Sequence, residues 1–263
     1  MFISCWSAKG GAGTTVVTAG LGLILTNPVR SPLHRSSRHE RSSPDRDLQA
    51  LADYEAMLGL TLGDTLLVDL AGDLPAVLGM PEPSGPGITE WLGAGADVAP
   101  DGLARIELPV SDRLSVIPKG NAGLRSPDRA EVLAELLGGD PRHVIVDCGR
   151  LDVASDPTAA PLVPDEAAEV VRVMVTSASQ SLLVTRSCYL SLRRYLRLPI
   201  RPSGVVLLTE PGRSLSALDV EEVCEAPVVA EVAVDASIAR AVDSGLLSQR
   251  VPRGLARALL RAA

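Results

Sequence analysis

Aromatic side chains are nearly missing: one Phe, two Trp and three Tyr in 263 residues. The core must therefore be assembled from Leu, Val and Ala. Lysine is scarcer still, because Lys9 and Lys119 are the only two against 23 arginines. The four cysteines (Cys5, Cys148, Cys188 and Cys224) form no C-x-x-C pair, which speaks against a zinc site or a disulfide framework and for reduced thiols. Two of the three histidines fall in one polar stretch, so no Ser-His-Asp set can be assembled. No basic-then-apolar leader opens the chain, and the uncharged stretch from Gly10 to Pro28 is glycine-rich, unlike a membrane span. A soluble, cytoplasmic protein is expected. The net charge of −7 gives no global case for nucleic acid, and 46% apolar against 22% charged residues excludes a largely disordered chain.

What is present is an alternation of apolar runs with helical patterns. Strands are expected at 2–6, 65–70, 114–120, 143–147, 170–177, 205–209 and 228–234. Helices are expected from the glycine-rich turn to about Leu25, at 128–138 behind a capping Ser126-Pro127, and around 191–197. Apolar runs without polar alternation belong to strands buried on both faces. The pattern predicts one α/β domain over 1–263, a doubly wound and mainly parallel sheet with ligand at the carboxyl ends of its strands. Residues 27–47 hold five Arg, five Ser, three Pro and two His with almost nothing to bury, and read as a disordered insertion. A short helix at 48–58 is expected to return the chain.

The chemistry concentrates in SAKGGAGTT, which follows the first strand. A strand, a glycine-rich turn and a helix N-terminus converge backbone N–H groups on an anion. Gly10, Gly11 and Gly13 allow close approach and positive φ. Thr15 can place a hydroxyl on Mg²⁺, and Asp147, closing the apolar run HVIVD, can supply the carboxylate. A dinucleotide fold with Asp69 as ribose acid competes for the same glycines. Against it, Val16 stands at the third glycine position and the distance to Asp69 is too long.

Lys9-Gly10-Gly11-Ala12-Gly13-Thr14-Thr15 resembles the deviant Walker A motif, K-G-G-x-G-K-[ST], of the ParA/MinD family of P-loop ATPases. LLVDLAGDLPAVLGM (66–80) is similar to the family's second strand region, above all in the CpaE/TadZ branch. HVIVDCG resembles Walker B, and VDASIARAVDSGLL (234–247) a late family motif. The resemblance implies bound ATP and Mg²⁺, with Lys9 through Thr15 around the phosphates and Thr15 and Asp147 on the metal. It also implies a homodimer in which Lys9 reaches the partner's phosphates, and a protein partner in chromosome partitioning, cell division or pilus placement.

Three departures stand out. Thr14 replaces the loop lysine; Asp69-Leu70-Ala71 lacks the second acid of D-x-D, with Asp73 two residues on; and Cys148-Gly149-Arg150 does not lead to the usual proline. Lys9, Asp69 and Asp73 are the candidates for the catalytic roles, and Arg150 is a candidate replacement cation. A charge-assisted hydrogen bond contributes about 1.5–3 kcal/mol, so losing the lysine weakens binding roughly 10- to 100-fold. Hydrolysis loses more, since single cations decide factors of about 10³–10⁵ in related transfers. The expectation is an ATP-dependent dimer switch with slow or no hydrolysis; a pseudo-ATPase scaffold that binds no nucleotide is the alternative. SLRRYLR (191–197) and the amphipathic PRGLARALLRAA (252–263) are candidates for weak DNA and membrane-surface contact.

Overall fold

The computed structural model describes residues 1–26, 63–95, 100–151 and 165–263. The expected insertion at 27–47 and helix at 48–58 lie outside the described residues. Eight strands form one sheet: β1 (Phe2–Ser7), β2 (Thr65–Asp69), β3 (Leu108–Ser111), β4 (Leu114–Ile117), β5 (His143–Arg150), β6 (Gln180–Arg186), β7 (Gly204–Thr209) and β8 (Val228–Ala233). Their order is β3-β4-β2-β5-β1-β6-β7-β8. Every pair is parallel except β3 with β4. This is the doubly wound, mainly parallel sheet expected of the apolar runs.

Helices cover both faces. Helices α1 (Thr14–Thr26), α2 (Leu74–Val77), α8 (Ala236–Asp243) and α9 (Arg253–Leu259) share one core with Ile3, Cys5, Leu67 and Ile145. Helices α3 (Ile88–Gly93), α4 (Pro127–Gly138), α5 (Glu166–Ser177), α6 (Tyr189–Tyr195) and α7 (Ala217–Cys224) share the other with Phe2, Trp6, Val68 and Val146. Alternate residues of β1 thus feed opposite cores, which is why the whole of FISCWS is buried.

Three expectations are corrected. Residues 170–177 are helix, not strand: Asp165 caps α5 by accepting from the Ala168 N–H, and Glu166 and Glu169 sit in its first turn. The strand in this region is β6. Residues 114–120 form a strand only to Ile117, and β3, an unforeseen antiparallel edge, lies beside it. Ser126 precedes α4, but at φ +63° its side chain caps nothing.

Candidate functional site

The turn between β1 and α1 lies at the carboxyl edge of the sheet, beside its central strand pair β5–β1. Gly11 (φ +73°) and Gly13 (φ +88°) have left-handed backbone, which bends the chain sharply into the helix. Gly13 is further required by space, because a Cβ there would stand 2.8 Å from Leu208 Cδ2. Helix α1 starts with the Val17 N–H donating to the Gly13 carbonyl at 3.0 Å. The N–H groups ahead of that bond face the end of the helix with no intrahelical partner, the arrangement that receives anions. Gly10 and Gly11 are exposed, Lys9 and Thr15 partly so, and Ala12 and Thr14 are buried. The expected phosphate-turn residues are therefore brought together.

Asp147 sits on β5 in register with Cys5 on one side and Asp69 on the other. It is fully buried. Its Oδ1 accepts from the Gly149 N–H at 3.1 Å, while Oδ2 has no hydrogen-bond partner. Burial pushes the Asp147 carboxyl up to about 7; the Thr15 hydroxyl draws it down, and the charges of Asp69 and Asp73 push it further up. The Thr15 hydroxyl is near enough to act on the carboxylate without completing a bond to Oδ2. An unpartnered buried carboxylate oxygen beside a hydroxyl, at the foot of an anion-receiving turn, fits a hard divalent cation such as Mg²⁺. Among the described residues there is no cluster of three or more His, Cys, Asp or Glu side chains able to hold a metal, so the rest of the coordination sphere would come from water and phosphate oxygens.

Asp69 differs. It is also fully buried, yet both oxygens are taken: Oδ1 accepts from the Gly72 N–H at 2.6 Å and Oδ2 from the Leu74 N–H at 3.0 Å. Burial raises its pKa, opposed by these amides. Asp69 thus closes the turn that leads into α2. Asp73 is exposed at the start of α2, and its side chain makes no capping bond. Ala71 leaves the end of β2 without a second acid, and its Cβ lies 3.1 Å from where a Cβ on Gly149 would be. Arg150 flanks the turn, its Cδ 3.9 Å from where a Cβ on Gly10 would stand. Lys119, not foreseen as a site residue, donates to the Ala71 carbonyl at 3.2 Å. Its signal in the sequence was rarity, as one of only two lysines.

The two basic segments differ as well. On α6, Arg193 and Arg194 are exposed, as is Arg197 just beyond its end. On α9, Leu255, Ala256 and Leu259 are buried against α1 and β8, while Arg253, Gly254 and Arg257 are exposed, as is Arg261 beyond its end. The apolar stripe that suggested a membrane surface is consumed by the core. Among the described residues no helix is long and apolar enough to cross a membrane.

The comparisons agree on the fold. The chain is similar to a ParA family ATPase from Chlorobium tepidum TLS, with a TM-score of 0.66 and 17% identity over 98% of this chain and 95% of that one. It is similar to MinD in the MinC:MinD cell division complex of Aquifex aeolicus, with a TM-score of 0.66 and 16% identity over 98% and 92% of the two chains. It is also similar to the septum site-determining protein MinD complexed with Mg-ADP from Pyrococcus horikoshii OT3, at 0.62 and 18% over 98% and 92%. No protein-family model matches the chain. No curated protein matches it in sequence. The architecture is that of the MinD/ParA P-loop ATPases.

Proposed function

We propose that this chain is a ParA/MinD-like nucleotide-binding protein of the CpaE/TadZ type. It takes ATP and Mg²⁺ at the 9–15 turn, dimerises through them and positions a chromosomal, septal or pilus assembly in the cytoplasm, with slow or no hydrolysis. The observation that carries the reading is the open Asp147 Oδ2 beside Thr15 at the foot of a positive-φ glycine turn. The Mg-ADP complex of the similar Pyrococcus MinD supports the ligand, and the MinC:MinD complex supports a protein partner.

In this reading the amides of Gly10 through Thr15 cradle the phosphates, and Thr15 and Asp147 would hold Mg²⁺. When bound, the cation neutralises phosphate charge. Lys9, partly exposed at the rim, is free to reach across a dimer. Hydrolysis is slow because Thr14 gives no cation and Ala71 no carboxylate to orient water, while Asp69 is occupied in its own turn. Those same losses favour the second reading, a scaffold that keeps the fold for protein contacts and binds no nucleotide.

Calorimetric titration of purified protein with ATP, with and without Mg²⁺, decides between them. Magnesium-dependent binding is expected. Absence of binding under both conditions selects the scaffold.

A further inference from the structure

On the α5 side of the carboxyl edge lies a cavity of about 270 Å³, lined by Ala71, Lys119, Gly149, Arg150, Asp165 and Val171 among others. Arg150, which also lines the cavity, lies next to the glycine turn, its Cδ 3.9 Å from where a Cβ on Gly10 would stand. Lys119 is held in place from two sides. Its ammonium donates to the Ala71 carbonyl, and its stem passes over Gly72, whose φ of +112° and lack of a side chain leave room for it, a Cβ there standing 3.3 Å from Lys119 Cδ. No carboxylate lies within ion-pair distance of this ammonium among the described residues; Asp165 lines the same cavity without pairing to it. One of its three N–H donors is used by Ala71, and among the described residues the others have no partner.

A partly buried cation without an anionic partner among the described residues, in a cavity of this size, is suited to receive an oxyanion. We propose that Lys119 receives the terminal phosphoryl group of a nucleotide seated on the 9–15 turn, supplying from the segment after β4 the cation that Thr14 does not. The proposal rests on the nucleotide reading above. It adds that the protein distinguishes tri- from diphosphate through a residue outside the Walker A turn. The sequence is consistent with this division: a chain that writes nearly every cation as arginine has lysine at both positions assigned here to phosphate, where a compact ammonium suits a tight pocket better than a planar fork. The same oxyanion chemistry could belong to free inorganic phosphate, so the test separates the two sources.

Wild type and Lys119→Met are titrated with Mg²⁺ and a non-hydrolysable ATP analogue, with Mg-ADP, and with inorganic phosphate followed by ³¹P NMR. Wild type is expected to bind the triphosphate analogue more tightly than ADP. Lys119→Met should lose about 10-fold in affinity for the analogue and less than about 2-fold for ADP, at an unchanged melting temperature. Lys119→Arg should restore part of the preference. A preference that survives in Lys119→Met, or equal losses for both nucleotides, overturns the proposal. If wild type binds neither nucleotide, the functional reading above fails separately. The cavity is then judged by phosphate alone: binding that Lys119→Met abolishes keeps the oxyanion site, and no phosphate binding removes it.

Discussion

Asp69 and Asp147 stand opposite one another on adjacent parallel strands, both buried, and only one of them is satisfied. Asp69 spends both oxygens on the amides of its own turn, whereas Asp147 keeps Oδ2 open. Two neighbouring carboxylates in one low-dielectric edge are costly without a cation, and the cost falls on the open one.

That asymmetry predicts a pH dependence for the ligand-free protein. The Asp147 pKa rises from 3.8 to about 7 on folding. Below pH 3.8 the group is protonated in both states and contributes nothing. Between there and about pH 7 the unfolded chain ionises first, so stability falls as pH rises. Above that window the full loss is present, on the order of a few kcal/mol. Asp69 contributes with the same sign, so comparison with Asp147→Asn isolates Asp147. Urea midpoints should fall less between pH 4.5 and 7.5 in Asp147→Asn than in wild type. Parallel profiles would mean that Asp147 is not strained in the folded state.

Thr14→Lys restores a cation at the phosphates and should tighten ATP binding about 10-fold or more. Hydrolysis should rise only modestly, because Ala71 still orients no water. Wild-type turnover at ordinary P-loop ATPase rates would contradict this account.

Lys9→Ala should act in the opposite sense. Sedimentation with the ATP analogue should show dimerisation reduced more than monomer binding. An equal effect on both would place Lys9 within its own subunit's site.

The described residues on either side of 27–62 meet, since the Gly63 N–H donates to the Leu25 carbonyl at 3.2 Å. Replacing 28–61 with a short Gly-Ser linker should therefore move the melting temperature by only a few degrees, because loop length changes closure entropy slowly, about 0.6 kcal/mol per doubling. Cooperative loss of folding after the replacement would show that the segment is structural.

Leu259 of α9 packs over Gly20 of α1, where a Cβ would stand 2.7 Å from Leu259 Cδ1. Leu259→Ala should lower stability by roughly 2–5 kcal/mol in chemical denaturation. Wild type should not sediment with anionic liposomes through this helix, whose leucines are already buried. Liposome binding abolished by Leu259→Ala, with stability unchanged, would reverse that assignment.

The site was legible where residue type alone determines geometry. Three glycines after an apolar strand required a tight turn, and an aspartate ending a buried run had to arrive at the carboxyl edge. The sequence was silent where tertiary contacts decide. VVRVMVTS has the β-branched composition of a buried strand, but the cap at Asp165 and one buried face make it helical. The neighbouring β6, flanked by Ser179 and Ser187 and carrying Ser181 and Thr185, gave little contrast. Pro109 hid β3, since proline in a strand is tolerated only at edges, and β3 is an edge. The role of Asp69 depended on which amides its turn folds back, and that of Lys119 on the neighbouring strand that brings β4 beside β2.

The turn after β2 is already fastened at Asp69, by the Gly72 and Leu74 amides, and at Ala71, by Lys119. A wall built in advance has a thermodynamic signature. Ligand arriving against it orders little backbone there, so the binding entropy should carry no large folding penalty from this loop. Association should run at the pace of rigid docking, without a slow closing phase at this edge. Variation in affinity, whether by mutation or by choice of nucleotide, should then be written mainly in the dissociation rate.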